Sequence, residues 1–162
     1  MTFQGIKDVL SVASPIAIII GIIIAVVQLQ SQARLRQFDT VMRVFATFGE
    51  DAFQHHFQRV ANWKFKSYKE FVAKSTKQDL VSWWVVGVLF EMMGLLYKRN
   101  LAPLDLLDDI LSGPLTRAWE RSEPVVLGMR MDLHEPQLAE WFEFLYKAMQ
   151  KRLAKVATEG HA

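Results

Sequence analysis

The feature that most constrains this chain is an uncharged, largely apolar run near its start. Val9 to Ala33 contains no charged residue, and residues 16–27 are mostly isoleucine and valine. About 20 such residues form a helix long enough to cross a hydrocarbon core of roughly 30 Å. β-Branched residues favour strands in water, but a segment in lipid must satisfy its own backbone hydrogen bonds, and a helix does so. Residues 1–33 are therefore predicted to contain an N-terminal tail and one transmembrane helix.

Three other structures could produce the same run. A cleaved signal peptide is one, because Ser31-Gln32-Ala33 resembles a small-x-small cleavage site. However, the run is longer than a typical signal core of about 7–15 residues, and Lys7 is the only basic residue before it. A buried core helix seldom extends this far without a polar face, and a strand with one exposed face would show alternation. The uncleaved span is the preferred interpretation.

Flanking positive charge predicts the orientation of this span. Arg34, Arg36 and Arg43 follow the run, whereas Lys7 before it is offset by Asp8. The positive-inside rule places the side richer in lysine and arginine in the cytoplasm. We therefore expect a single-pass protein of the cell inner membrane with a cytoplasmic C-terminal domain. Arg34 and Arg36 are expected at the lipid headgroups.

Residues 34–157 are predicted to form one helical domain, because apolar residues recur at helical spacing without strand-like alternation. Two helix starts carry capping-box spacing: Ser67 with Glu70, and Thr76 with Asp79. The fold prediction is all-α, with one N-terminal transmembrane helix followed by a cytoplasmic bundle of about five or six helices. Residues 158–162 are expected to be a frayed tail. The other predicted boundaries are helix ends at Gly49, Asn100 and Gly113, helix starts at Pro103, Pro114 and Pro136, and a bend or break at Pro124.

The segment Leu80–Tyr97 allows two interpretations, because only Ser82 and Glu91 interrupt its apolar character. As a second span, it would place Glu91 near the bilayer centre and would mark an ion or proton path. As the central helix of a bundle, it would carry one narrow stripe of polar and small residues that includes Glu91 and Gly94. The energetic cost of a carboxylate in mid-bilayer favours the core helix.

Glu91 and its neighbours are candidates for a site. If Glu91 is buried without a partner, its pKa should rise, and if it is buried and charged it needs a cation such as Arg117 or Arg121. An exposed position for Glu91 is the alternative. Trp83 and Trp84 follow two lysines and are candidate lipid-interface residues.

The metal-ligand candidates are sparse. Asp51 and His55 are four residues apart and form at most a two-ligand fragment, while His55 and His56 point about 100° apart on a helix. Asp105 and Asp109 share a helical face and could hold Mg²⁺. The simpler interpretation places these acids near a helix N-terminus, where the helix dipole favours negative charge.

A candidate contact surface follows the span. Leu35, Phe38, Met42 and Phe45 recur at three-then-four spacing and form a seam that could pack on a partner helix. Within the span, Gly21 lies among isoleucines and could allow close approach of another transmembrane helix.

The remaining composition excludes several functions. The chain has no cysteine, which removes disulfides, thiolate catalysis and thiolate metal ligands. Its net charge is +2, from 19 basic and 17 acidic residues, and this gives no basis for nucleic-acid binding. It also lacks a Gly-rich phosphate loop, a His-Glu-x-x-His motif and a Gly-x-Ser-x-Gly elbow. We therefore expect no cofactor.

Three segments follow the span in order: residues 90–96, with a Glu-x-x-Gly-Leu-Leu run from Glu91; residues 106–114, which end in Gly113-Pro114; and Trp119-Glu120. This order resembles an uncharacterised bacterial family of single-span membrane proteins, domain of unknown function 4760 (DUF4760). The likeness extends from the span to about Tyr146. Many members are expected to carry a second carboxylate where this chain has Met92, which argues against a paired-carboxylate mechanism here. The resemblance implies a single-span helical protein and supplies no activity.

These observations predict a non-enzymatic accessory or interaction subunit. Its expected partners are the lipid bilayer and either other membrane protein subunits or a second copy of itself. Two alternatives are a membrane-bound enzyme or metal protein that uses His, Asp and Glu side chains, and a two-span protein with Glu91 in an ion path.

Overall fold

The computed structural model describes the backbone of residues 3–159 and the side chains of residues 20–158, except those of residues 33, 34, 37, 40 and 44. Every regular element in this part of the chain is an α-helix, as predicted. The chain divides into two compact units, Met1–Asp39 and Thr40–Ala162, and each is considered by itself. The helices are α1 (Phe3–Gly49), α2 (Asp51–Ala61), α3 (Tyr68–Lys74), α4 (Lys77–Lys98), α5 (Leu104–Asp132) and α6 (Glu140–Glu159).

The first unit is helical, and its described part from Ile20 to Gln32 is an apolar stretch of α1. The large hydrophobic side chains of this stretch are all between 45% and 65% exposed. They are Ile20, Ile22, Ile23, Ile24, Val26, Val27 and Leu29. The side chains of residues 9–19 and of Arg34 lie outside the described residues, so the transmembrane position of the run stays a prediction.

The second unit is a helical bundle around α4, which packs on α2, α5 and α6. Among the described residues, α4 is the one helix long and apolar enough to cross a membrane. A core helix meets the same criterion, and α4 buries nine residues in the bundle, including the polar Asp79 and Ser82. This burial supports the core-helix interpretation of Leu80–Tyr97. The largest fully buried side chains include Trp119, Phe90 and Phe142.

Local capping sets the starts of α3 and α4, as the sequence predicted. The Ser67 hydroxyl accepts a hydrogen bond from the Glu70 amide at 3.1 Å. The Glu70 carboxylate accepts from the Lys66 amide at 2.9 Å and not from the Ser67 amide, so the predicted capping box at Ser67 is only half formed. At the start of α4 the predicted box is complete: the Thr76 hydroxyl accepts from the Asp79 amide at 3.2 Å, and the Asp79 carboxylate accepts from the Thr76 amide at 2.8 Å. Both caps satisfy amides that have no partner within the helix.

Helix α5 contradicts the predicted helix end at Gly113 and the predicted start at Pro114, and of the bend or break predicted at Pro124 it excludes the break. It continues through all three residues as one helix from Leu104 to Asp132. A proline inside a helix removes one hydrogen bond and crowds the preceding turn, which costs about 3 kcal/mol. Burial of apolar side chains along the whole length offsets this cost, since a helix that ended at Gly113 would leave its second half without this packing. The buried residues are Leu107, Leu111, Leu115, Ala118, Trp119, Ser122, Val125, Val126 and Met129.

Left-handed backbone conformations mark two of the connections. Helix α4 ends at Lys98, and Asn100 follows with φ 56°, which confirms the predicted role of Asn100 as a terminator. Between α5 and α6, His134 and Ala139 also have positive φ, of 56° and 57°. Helix α6 therefore begins at Glu140 and not at the predicted Pro136, because the chain first passes through these turns.

Candidate functional site

The start of α6 lies against α4, and Glu91 of α4 caps it. The Oε2 atom of Glu91 accepts a hydrogen bond from the Phe142 amide at 2.8 Å. The first backbone hydrogen bond within α6 runs from the Glu143 amide to the Ala139 carbonyl, so Ala139 holds the N-cap position. Alanine has no side-chain acceptor for the free amides of the first turn. Glu91 supplies that acceptor from a different helix.

The pKa of Glu91 is raised above its ordinary value, chiefly because burial penalises the charged carboxylate. The amides of Phe142 and Trp141 and the positive charge of Arg130 act in the opposite direction, while Glu140 adds to the rise. In the part of the chain that the structure describes, Glu91 forms no ion pair.

The predicted partners Arg117 and Arg121 are not the groups that Glu91 contacts. Both are exposed and line a separate surface cavity. The prediction of a salt bridge to them is wrong because the amides at the start of α6 take up the carboxylate instead.

Gly94, one turn after Glu91, allows the backbones of α4 and α6 to come unusually close. A Cβ atom at Gly94 would lie 1.9 Å from the Trp141 carbonyl oxygen and 2.4 Å from the Trp141 carbonyl carbon. These distances are far below van der Waals contact, so only glycine fits. Glu91 and Gly94 therefore act on adjacent residues of α6: the first binds an amide and the second makes room for the backbone.

The Phe142 side chain is the aromatic centre of the same junction. Its ring stacks on Phe90 with centroids 4.9 Å apart and meets the edge of Trp119 at 5.0 Å. Phe90, Glu91, Gly94 and Trp119 all belong to the segments that carry the family resemblance. They converge on Trp141 and Phe142, whose backbone contacts with α4 the sequence does not indicate.

Arg130 of α5 holds the other side of the α6 start. Its Nε atom donates to the Leu138 carbonyl at 2.8 Å, and its Nη1 atom lies 2.6 Å from Glu143. Although burial acts to raise the pKa of Glu143, hydrogen bonds from Lys147 and Arg130 keep it below its ordinary value. Arg130 thus binds Glu143 and the loop through its Nε and Nη1 atoms and forms no ion pair with Glu91, although its positive charge lowers the pKa of Glu91.

A cavity of about 230 Å³ opens beside Glu91 between α4 and the loop before α6. Apart from Glu91 and Gln137, its walls are apolar or backbone. The lining residues are Trp83, Trp84, Gly87, Val88, Glu91, Gln137, Leu138 and Ala139.

The predicted histidine candidates do not assemble into a site. His55 is exposed, and Asp51 lies in the first turn of α2. The Nδ1 atom of His56 lies 3.0 Å from the Ser82 hydroxyl. Among the residues whose side chains are described, no three His, Asp or Glu residues form a group that could hold a metal ion.

The acidic cluster of α5 has structural partners. The Asp105 carboxylate accepts from the Leu106 amide at 2.8 Å in the first turn of α5, which confirms the helix-terminus interpretation for that residue. Asp108 and Asp109 lie 3.3 and 3.9 Å from Arg152 of α6, a pairing that the sequence did not indicate.

The predicted interface residues divide between surface and core. Trp83 is only 2% exposed, so its assignment to the lipid interface is corrected: it is a core residue, stacked on Phe142. Trp84 is 47% exposed.

The seam residues Leu35, Phe38, Met42 and Phe45 are all exposed, at 65%, 51%, 38% and 36%. A Cβ atom at Gly21 would meet nothing within 4 Å.

Comparison with known proteins gives one match. A family model described as a domain of unknown function, DUF4760, matches residues 15–149. No curated protein and no solved structure matches the chain.

Proposed function

We infer that this chain, which belongs to the DUF4760 family, is a membrane-anchored accessory subunit that works through protein contacts and not through catalysis. In this proposal the N-terminal run crosses the cell inner membrane once. The helical bundle then lies in the cytoplasm, and the seam on α1 contacts a helix of another membrane protein.

The exposure of the isoleucine-rich stretch carries this proposal. Seven large hydrophobic side chains between Ile20 and Leu29 are each about half exposed or more. Burying such a side chain fully contributes about 1.5–3 kcal/mol, so the apolar surface left in water represents on the order of 5–10 kcal/mol. That value is comparable with the whole stability of a domain, which is about 5–15 kcal/mol. A lipid environment removes this surface from water, and the arginines after the run favour the cytoplasmic orientation.

Alkaline carbonate extraction and protease mapping of the full chain test the anchor. We expect the chain to stay with the membrane pellet, and protease to digest the bundle in inverted vesicles but not in intact spheroplasts. The double substitution Ile22→Arg with Ile23→Arg should release the chain, because charges in the bilayer core are costly. A matched control, Val72→Arg, changes an exposed residue of α3 and should leave the chain in the pellet. Complete extraction of the unaltered chain, or a mature chain trimmed after residue 33, would refute the anchor.

The seam is tested by a photocrosslinking residue at Phe38, with the same residue at Val72 as the control. Both positions are exposed, at 51% and 63%. We expect an adduct with a second membrane protein from position 38 only, together with a matching complex by native mass spectrometry in mild detergent. Leu35→Ser, at another exposed position of the seam, should abolish both. An adduct between two copies of this chain would mean that the seam binds a second copy and not a different membrane protein. A strictly monomeric chain without adducts would exclude the interaction role.

A further inference from the structure

The cavity beside Glu91 combines three properties of a small-ligand site. It is concave, its volume is about 230 Å³, and a single carboxylate stands among apolar walls. Its inner wall contains Trp83, Gly87 and Ala139, which are buried, and its mouth contains Trp84 and Val88, which are 47% and 58% exposed. Concave, mostly apolar pockets with a few placed polar groups, here Glu91 and Gln137, are the usual form of sites for small organic molecules.

Two residues of the cavity wall have unusual backbone properties. Gly87 places no side chain in the cavity, and the atoms nearest to a Cβ there would be those of the Trp83 ring, at 3.4–3.5 Å. Ala139, on the opposite wall, has φ 57°, a conformation that costs an alanine about 1–2 kcal/mol. Backbone strain of this kind persists where the surroundings require it, and it is frequent at ligand sites.

The negative charge of Glu91 favours a cationic ligand in this cavity. Glu91 forms no ion pair in the described part of the chain, and burial has already cost its carboxylate much of its hydration. Arg130 donates hydrogen bonds to Glu143 and to the Leu138 carbonyl, and its positive charge only partly offsets the negative charge of Glu91. A cation that enters the cavity would gain a charge-assisted hydrogen bond to the carboxylate and favourable contact with tryptophan rings.

We propose that this cavity binds a small organic cation, a primary ammonium group on an apolar body, with the ammonium at Glu91 and the body between Trp83, Trp84 and Val88. The site does not depend on the membrane anchor or on the seam, so it goes beyond the function proposed above. The Oε2 atom of Glu91 keeps its bond to the Phe142 amide, and the ammonium binds the remaining face of the carboxylate.

Phenethylammonium is a suitable probe, with phenethyl alcohol as its neutral counterpart. Titration of the full chain in non-ionic detergent, followed by tryptophan emission and by calorimetry, should show saturable binding of one ammonium per chain. The alcohol should bind at least tenfold more weakly, because a hydrogen bond to a charged group contributes roughly a 10- to 100-fold change in affinity.

Two charge variants separate the site from general electrostatics. Glu91→Gln keeps an oxygen acceptor for the Phe142 amide but removes the charge, and it should weaken ammonium binding about 10- to 100-fold. The matched variant Glu140→Gln removes a neighbouring charge that does not line the cavity and should change affinity less than about threefold, as expected for a pair separated by solvent.

Gly87→Leu should fill the cavity and abolish binding, and its far-ultraviolet circular dichroism and melting temperature show whether the bundle remains folded. If Gly87→Leu unfolds the bundle, Trp84→Ala serves in its place and should weaken binding severalfold. Equal affinity for the ammonium and the alcohol, equal losses in the two charge variants, or non-saturating uptake that Glu91→Gln leaves unchanged would each overturn the proposal.

Discussion

Replacing Gly94 by alanine tests the claim that close backbone approach holds α4 and α6 together. The added Cβ atom would lie 1.9 Å from the Trp141 carbonyl oxygen, whereas ordinary van der Waals contact begins near 3.4 Å. The start of α6 must therefore move away by about 1.5 Å. A shift of this size would break the 2.8 Å hydrogen bond between Glu91 and the Phe142 amide.

The expected loss of stability in Gly94→Ala has two main parts. Overpacking costs about 1–3 kcal/mol, and a buried amide without its acceptor costs about 1–3 kcal/mol more. Alanine returns up to about 1 kcal/mol through its higher helix propensity. The net loss is about 1–6 kcal/mol, which lowers the melting temperature of a bundle of this size by roughly 4–24 °C.

Thermal unfolding of the full chain in mild detergent, followed by near-ultraviolet circular dichroism, measures this loss. Hydrogen exchange at the Phe142 amide should become faster in the same variant. Gly113→Ala is the matched control, because a Cβ atom there meets nothing within 4 Å and the residue is helical. It should raise stability by about 0.5–1 kcal/mol. If Gly94→Ala were as stable as Gly113→Ala, with unchanged exchange at Phe142, the close approach would not hold the two helices.

Three further predictions concern other features of the bundle. Gly128→Ala should cost about 1–3 kcal/mol and loosen α3, measured by hydrogen exchange across that helix, because its Cβ atom would lie 2.3 Å from Tyr68 Cβ. Pro114→Ala should raise the free energy of unfolding by about 1–2 kcal/mol in urea titrations, because the helix regains a hydrogen bond. The greater freedom of the unfolded chain offsets only part of this gain. Because burial raises the pKa of Glu91, the folded state binds that proton more tightly than the unfolded chain does, so its contribution to stability falls as pH rises from about 4.5 through the raised value. Glu91→Gln should flatten this part of the pH profile of stability, whereas Glu91→Ala should cost about 1–3 kcal/mol at every pH because the Phe142 amide loses its acceptor.

Helix starts that depend on neighbouring residues were predictable from the sequence. The side-chain caps from Ser67 and Thr76 act over three residues, so their spacing alone places the starts of α3 and α4. The course of α5 was not predictable in this way. Gly113, Pro114 and Pro124 each disfavour a helix locally, and the packing that overrides them involves residues distant in sequence.

The candidate site shows the same division between local and distant information. Glu91 could be singled out because a carboxylate is rare in so apolar a helix. The hydrogen-bond partner of Glu91 could not be predicted from the sequence. It is the Phe142 amide, which lies 51 residues further along the chain, and a backbone group leaves no signal in the sequence. The spacing of Glu91 and Gly94, one helical turn apart, was the available clue that this face of α4 receives another backbone.

The group that faces Gly94 is the carbonyl of Trp141, which every amino acid carries. No change of residue type at position 141 can therefore relieve a larger residue at position 94. An alignment of DUF4760 sequences should accordingly show glycine at this position without covariation at the facing one. A residue larger than glycine at position 94 requires the whole of α6 to move. That movement would take the start of α6 away from the Glu91 carboxylate that caps it.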